Sequence, residues 1–301
     1  MNQQEKSKVL KAGEIASQVK IYARTIIKKG VPLLEIAEKI EAKIIELGGK
    51  PAFPVNLSID NIAAHYTPGH DDKTLAHGLI KVDLGVHIDG WIADTAFSLD
   101  LENSEENKKL ILASEEALEK ALNLVKSKIT ETKLSEVGKV IQETIESKGF
   151  SPVMNLSGHS IEKYDLHSGD TVPNIDNKTL SMFKEGIYAI EPFATNGNGK
   201  VHDGKPSGIY HVINEINVRS PIAREVLHFV QKEYDGLPFC SRWIVKKMGT
   251  KALFGLRELE SNGILHHFSH LVESSNAGSV KVSQAEQTIL IEKGKVTVTT
   301  I

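Results

Sequence analysis

The sequence has one cysteine, Cys240, so no intrachain disulfide is open to it. That scarcity fits a reducing compartment. The lone thiol reads as a small, half-buried apolar residue, not a nucleophile. No apolar run approaches the roughly 18 residues that a membrane-spanning helix requires. The stretch Met1 to Lys11 is polar and lacks the apolar segment of a secretory signal. Excess charge is also scarce: a formal net charge of −3 gives no general attraction to nucleic acid or anionic lipid. These absences predict a cytoplasmic protein that does not enter membranes.

What is present is ordinary globular material. With 40% hydrophobic residues in 301, the chain can bury one large core or two modest ones. Residues 5–29 place Val9, Ala12, Ile15, Ala16, Val19 and Ile26 near helical spacing. Pro32 opens a second helix that stops at Gly48-Gly49. A strand-like segment runs from Phe53 to Ile59. Ser104 predicts the N-cap of a helix to about Lys128, and another helix runs from about Leu134 to Lys148 and stops at Gly149. Short strands are predicted near 186–192, 209–218 and 280–300. A helical block over about 220–265, opened by Ser220-Pro221, lies between the last two. Strands and helices are segregated, which is an α+β pattern.

Residues 79–99 alternate apolar and polar around Asp89-Gly90, a hairpin signal. A two-residue turn sets Gly85 opposite Asp94 and leaves Asp83 diagonal to Asp94 on the same face. A four-residue loop would pair the two acids directly, and a three-residue loop would separate them. The other face, with Val82, Leu84, Val86, Ile88, Trp91, Ala93 and Phe97, reads as core. Two carboxylates held together repel, and a bound cation is the usual compensation. Gly85 between them is read as room for an ion. The bland alternative is two solvated acids on a wet face.

Other residues bear on that choice. His159 lies in a glycine-marked stretch, Leu156-Ser-Gly-His-Ser-Ile161. Glu191 ends the apolar run Gly186-Ile-Tyr-Ala-Ile190, and Glu286 enters the strand-like run Val282 to Ile291. A carboxylate in either place calls for a partner. In order, Lys81 to Asp94, Ser157 to Ile161, Ile190 to Phe193 and Gln284-Ala-Glu286 resemble the four ligand motifs of the pita-bread metallopeptidases. The phrases Val82 to Gly90, Ala63-Ala-His-Tyr-Thr-Pro68 and Glu191-Pro-Phe-Ala-Thr-Asn-Gly197 are similar to those of type II methionine aminopeptidases.

That resemblance implies a pita-bread fold, an antiparallel sheet with flanking helices, over residues 1–195 and 270–301. It implies a largely helical, winged-helix-like type II insertion over about 196–269. The implied metal ligands are Asp83, Asp94, His159, Glu191 and Glu286, holding two divalent ions (Co, Mn, Fe or Zn). Glu191 is the implied proton shuttle, and His65 and His167 the implied catalytic and substrate-binding histidines. Phe53 and Leu166 would form the methionine pocket. The implied reaction removes initiator methionine from nascent proteins with small second residues, by water attack at a dinuclear centre. The implied partners are methionyl peptides, with transient contact to the ribosome, and the implied state is a monomer. One departure stands out: Gln287 follows the last glutamate where the family usually has histidine. The paired His266 and His267 read as a solvated turn. An X-Pro aminopeptidase and a non-catalytic ribosome- or RNA-associated scaffold are the competing readings.

Overall fold

The computed structural model describes residues 1–214, 217–273 and 279–301. The first third comprises α1 (Gln3–Ile26), α2 (Leu33–Glu46), β1 (Lys50–Pro51), β2 (Asn56–Ile59), β3 (Ile62–Ala64), β4 (Leu79–Ile88) and β5 (Trp91–Asp100). Then come α3 (Glu105–Lys128), α4 (Leu134–Ser147), β6 (Ser151–Pro152), β7 (Ser157–Ile161), β8 (Thr171–Pro173), β9 (Gly186–Ile190) and β10 (Phe193–Thr195). After β11 (Val201–Val212) lie α5 (Pro221–Tyr234), β12 (Phe239–Cys240), α6 (Ser241–Met248), α7 (Ala252–Ser261) and β13 (Leu265–Glu273). The chain closes on β14 (Val282–Gln284), β15 (Glu286–Glu292) and β16 (Lys295–Val298).

The helix starts are capped as their residues require. Asn2 accepts from the backbone of Gln4 and Glu5 while Glu5 reaches back to Asn2, a reciprocal capping box on α1. Ser104 and Ser220 each accept a backbone N–H of the first turn, and Pro221 follows Ser220 where its missing N–H costs nothing.

Among the described residues the central sheet has nine strands, with the path β1-β4-β5-β15-β9-β7-β8; β2 adds to β4 and β16 to β15. Asp89 and Gly90, both in the left-handed region, form a two-residue turn that sets Ile88 opposite Trp91 and Gly85 opposite Asp94. Val82, Leu84, Val86, Ala93 and Phe97 pack under α1 and α2. Tyr188, Ile190, Ile289 and Ile291 pack under α3 and α4. Each buried Val, Leu, Ile or Phe among them contributes about 1.5–3 kcal/mol. Both helix pairs therefore cover one face of the sheet, and alternation turns Asp83, Asp94 and Glu286 to the other face.

Beyond this sheet, β11 and β13 pair with β12 and β3, and α5, α6 and α7 pack into a separate apolar cluster around Phe239, Ile244 and Leu256. Several sequence expectations change here. The strand expected near 209–218 runs instead over 201–212, and residues 215 and 216 of that expectation lie outside the described residues. His266 and His267 lie on β13, not in a solvated turn: His267 stacks on Tyr210 at 4.1 Å and pairs with Glu260 at 3.0 Å. Cys240 is fully buried, and burial pushes its thiol up to about 12.

Candidate metal centre

On the open face of the sheet lies a cavity of about 320 Å³ whose walls include Asp83, Asp94, His159, Glu191 and Glu286. Each arrives from a different part of the sheet. Asp83 and Asp94 come from the two hairpin strands, His159 from β7, Glu191 from the residue after β9, and Glu286 from the first residue of β15. Because β5, β15, β9 and β7 are neighbours in that order, residues distant in sequence meet across adjacent strands. His159 Nε2 stands 3.7 Å from Asp94 Oδ2 and 3.9 Å from Glu191 Oε1. Asp94, His159 and Glu286 each offer one ligand atom within 4.8 Å of the others.

The wet-face alternative fails, because Asp94 is buried and Asp83, half-buried as a residue, has its Oδ1 closed off from solvent. Burial and then mutual repulsion hold Asp94, Glu191 and Glu286 well above the usual carboxylate range. Burial pushes the Asp83 carboxyl up to about 7. Burial, with His167 beside it, pushes His159 down to about 3, so its imidazole is neutral and free to ligate. Asp83 Oδ1, Asp94 Oδ1 and Glu286 Oε2 are buried without a hydrogen-bond partner. Unpaired buried carboxylate oxygens of this kind are costly. An oxygen-rich set with one imidazole suits a divalent cation, and such an ion would satisfy them.

Gly85 corrects one sequence reading. A Cβ there would fall 2.3 Å from the Phe53 ring, so the glycine makes room for that aromatic wall and not for an ion. Phe53 and Leu166 both line the cavity, as do His65 and His167. His65 sits in the left-handed region, with Nδ1 3.2 Å from the Ser269 carbonyl oxygen and its ring edge-on to Phe268. Burial pushes it down to about 4. The His167 ring lies 4.3 Å from that of His159, and burial lowers it too. Gln287 points away, into a separate cavity behind the sheet with Lys20 and Arg24.

Sequence reasoning missed Gln284, whose amide lies 3.4 Å from Asp83 Oδ2 and 3.3 Å from Glu191 Oε2. Its place two residues before Glu286 was the available signal. It also missed Ile209, Phe268 and Leu271, which close the cavity from β11 and β13. Nothing local in the sequence marks those three.

A buried acid-and-imidazole cluster on an antiparallel sheet, backed by paired helices, defines a metal-dependent hydrolase class, and residues 7–231 match metallopeptidase family M24. The chain belongs to that family. Within it the chain falls among the methionine aminopeptidases. It is 45% identical over 301 residues to the methionine aminopeptidase of Thermococcus onnurineus, covering 98% of this chain and 99% of that one. The pita-bread fold recurs in a thermophilic Arx1, with a TM-score of 0.83 at 16% identity over 99% of this chain and 91% of that chain. It recurs in the methionine aminopeptidase of Thermotoga maritima, with a TM-score of 0.66 at 22% identity over 100% and 98%. Among the described residues no helix is long and apolar enough to cross a membrane.

Proposed function

We propose that this chain removes the initiator methionine from nascent proteins whose second residue is small, using two divalent metal ions held by Asp83, Asp94, His159, Glu191 and Glu286. The observation that carries this reading is the set of unpartnered, buried carboxylate oxygens facing one cavity beside a neutral imidazole. When bound, such ions supply Lewis acidity to a carbonyl and lower the pKa of water.

The chain's own residues do the rest. Glu191, beside His159 and the Gln284 amide, accepts the proton of the attacking water and delivers it to the leaving amine. Gln284, donating towards both Asp83 and Glu191, holds those two acids in register. His65 and His167 are neutral and line the cavity; with its Nδ1–H donating to the Ser269 carbonyl, His65 keeps Nε2 to accept from a substrate N–H, while His167 can donate to the oxygen that gains charge. Phe53, Leu166, Ile209, Phe268 and Leu271 form an apolar wall suited to a flexible thioether. Residues 196–269, which supply two of those five, Ile209 and Phe268, constitute the type II insertion in this reading.

Metal-free protein given Mn²⁺ or Co²⁺ should release methionine from Met-Ala-Ser, with chelation abolishing the activity. Comparable release from Leu-Ala-Ser and Ala-Pro peptides would overturn the specificity. Replacement of His159 by alanine should lose at least one metal per chain; unchanged stoichiometry by elemental analysis would refute the ligand set.

A further inference from the structure

Behind the carboxylates, on the helix side of the sheet, a hydrogen-bonded layer joins three distant parts of the chain. Gly13, inside α1, makes it accessible. A Cβ there would stand 2.2 Å from the Thr299 carbonyl oxygen, so the helix lies against segment 298–301 because that position is glycine. Glycine within a helix costs about 1 kcal/mol relative to alanine, and this contact is what it permits. Further along α1, the Lys20 ammonium donates to the Thr300 carbonyl at 2.8 Å and to Thr95 Oγ1 at 3.3 Å.

Both contacts continue to the acids. Thr95 Oγ1 donates to the Glu286 carbonyl at 2.9 Å. Thr300 Oγ1 accepts from the Thr288 N–H at 3.0 Å. The Thr288 hydroxyl brackets Asp94, accepting from its N–H and donating to its carbonyl, each at 2.8 Å. These bonds stand in for a missing ladder, since β15 and β5 pair only at Glu286 with Ala96 and Gln287 with Thr95. Thr95, Thr288 and Thr300 are fully buried. Lys20 is half-buried, and these acceptors are a hydroxyl and a carbonyl, not a carboxylate.

We propose that Lys20 is a positioning residue for the metal centre: through Thr95, and through Thr300 and Thr288, it fixes the backbones that carry Glu286 and Asp94. The inference rests on the metal-centre reading above. Its two physical effects have opposite signs, which makes it testable. A positive charge behind the site opposes a divalent cation, so losing the charge alone would tighten metal binding. Losing the anchor loosens the ligands and weakens binding, and outer-shell partners of metal ligands typically matter by about 10–100-fold in affinity.

Mn²⁺ is titrated calorimetrically into metal-free wild type, Lys20→Met, Thr288→Val and Thr288→Ser. Lys20→Met and Thr288→Val should each weaken Mn²⁺ binding about tenfold or more, while Thr288→Ser, which keeps the hydroxyl, should stay within about threefold of wild type. Equal or tighter binding by Lys20→Met would overturn the proposal. Should that variant not fold, unchanged affinity in Thr288→Val overturns it instead. A wild type that binds no Mn²⁺ would remove the metal-centre reading itself, and this inference with it.

Discussion

Four carboxylates and an imidazole do not gather in a buried cavity without cause, because each charge costs desolvation and each carboxylate repels the next. Burial raises Asp94, Glu191 and Glu286 together, and Asp83 reaches about 7. Glu191 differs from the rest in touching both His159 and the Gln284 amide. If it moves the proton, Glu191→Gln should lower kcat by about a hundredfold or more and change KM by less than about threefold. Steady-state kinetics on Met-Ala-Ser checks this; an unchanged kcat would assign the proton to another group. At this scale the sequence was largely legible. Acids in or beside apolar strands are chemically odd, which drew attention to Asp83, Asp94, Glu191 and Glu286, but their joint role as ligands came from the family resemblance. Gln284 carried only a weaker signal, its place two residues before Glu286, because a neutral amide on a strand has many uses.

Among the elements, the hairpin β4–β5 organises more than its two acids. Its turn is held by His87, whose Nδ1 accepts the Gly90 N–H at 3.0 Å, and the Gly90 carbonyl accepts the Tyr164 N–H at 2.9 Å. Tyr164 belongs to the loop that carries Leu166 and His167, so the turn also steadies one wall of the cavity. Burial, and then the nearby Lys50 charge, push His87 down to about 4. Its folded pKa is thus below its unfolded value of about 6.5. The stability it contributes is complete above pH 6.5 and is lost as pH falls from about 6.5 to about 4, on the order of 2–3 kcal/mol. Protonation also removes the acceptor for Gly90. His87→Gln should therefore show a flatter decline of Tm with acid over that window than wild type. Parallel declines in the two proteins would count against this role. The turn was readable in advance because Asp-Gly chemistry is local. The aromatic neighbour that Gly85 accommodates was not, since Phe53 reaches it from another strand region.

At the scale of the whole molecule, a buried ion pair helps fasten the helical block α5–α7 to the front half. Arg242 on α6 makes two 2.7 Å bonds to the Glu41 carboxylate on α2 and a 2.9 Å bond to the Pro68 carbonyl. Trp243 Nε1 donates to the same carboxylate at 2.9 Å. Removing one partner of such a pair leaves an uncompensated buried charge and costs about 3–5 kcal/mol. Arg242→Met should lose that much by urea denaturation, and Arg242→Met with Glu41→Leu should recover a large part of it. A double variant no more stable than the single one would show that packing, not charge, makes the joint. Because β11 and β13 bring Ile209, Phe268 and Leu271 to the cavity, loosening this joint should also raise KM for methionyl peptides.

The family resemblance supplied the ligand set and the turn length stayed open, but the sequence by itself determined most helices, the position of the hairpin turn and the faces of its two strands. These follow from period, capping and turn residues, which act over a few neighbouring positions. Only the tertiary structure decided which strand lies beside which, and so placed Glu191 and Glu286 beside the hairpin acids. It alone put Phe53 against Gly85, closed the cavity with β11 and β13, and set Lys20 behind Glu286 through Thr95. Periodicity tells a residue which way to face, but its neighbour across a long loop is chosen by packing and burial of the whole chain.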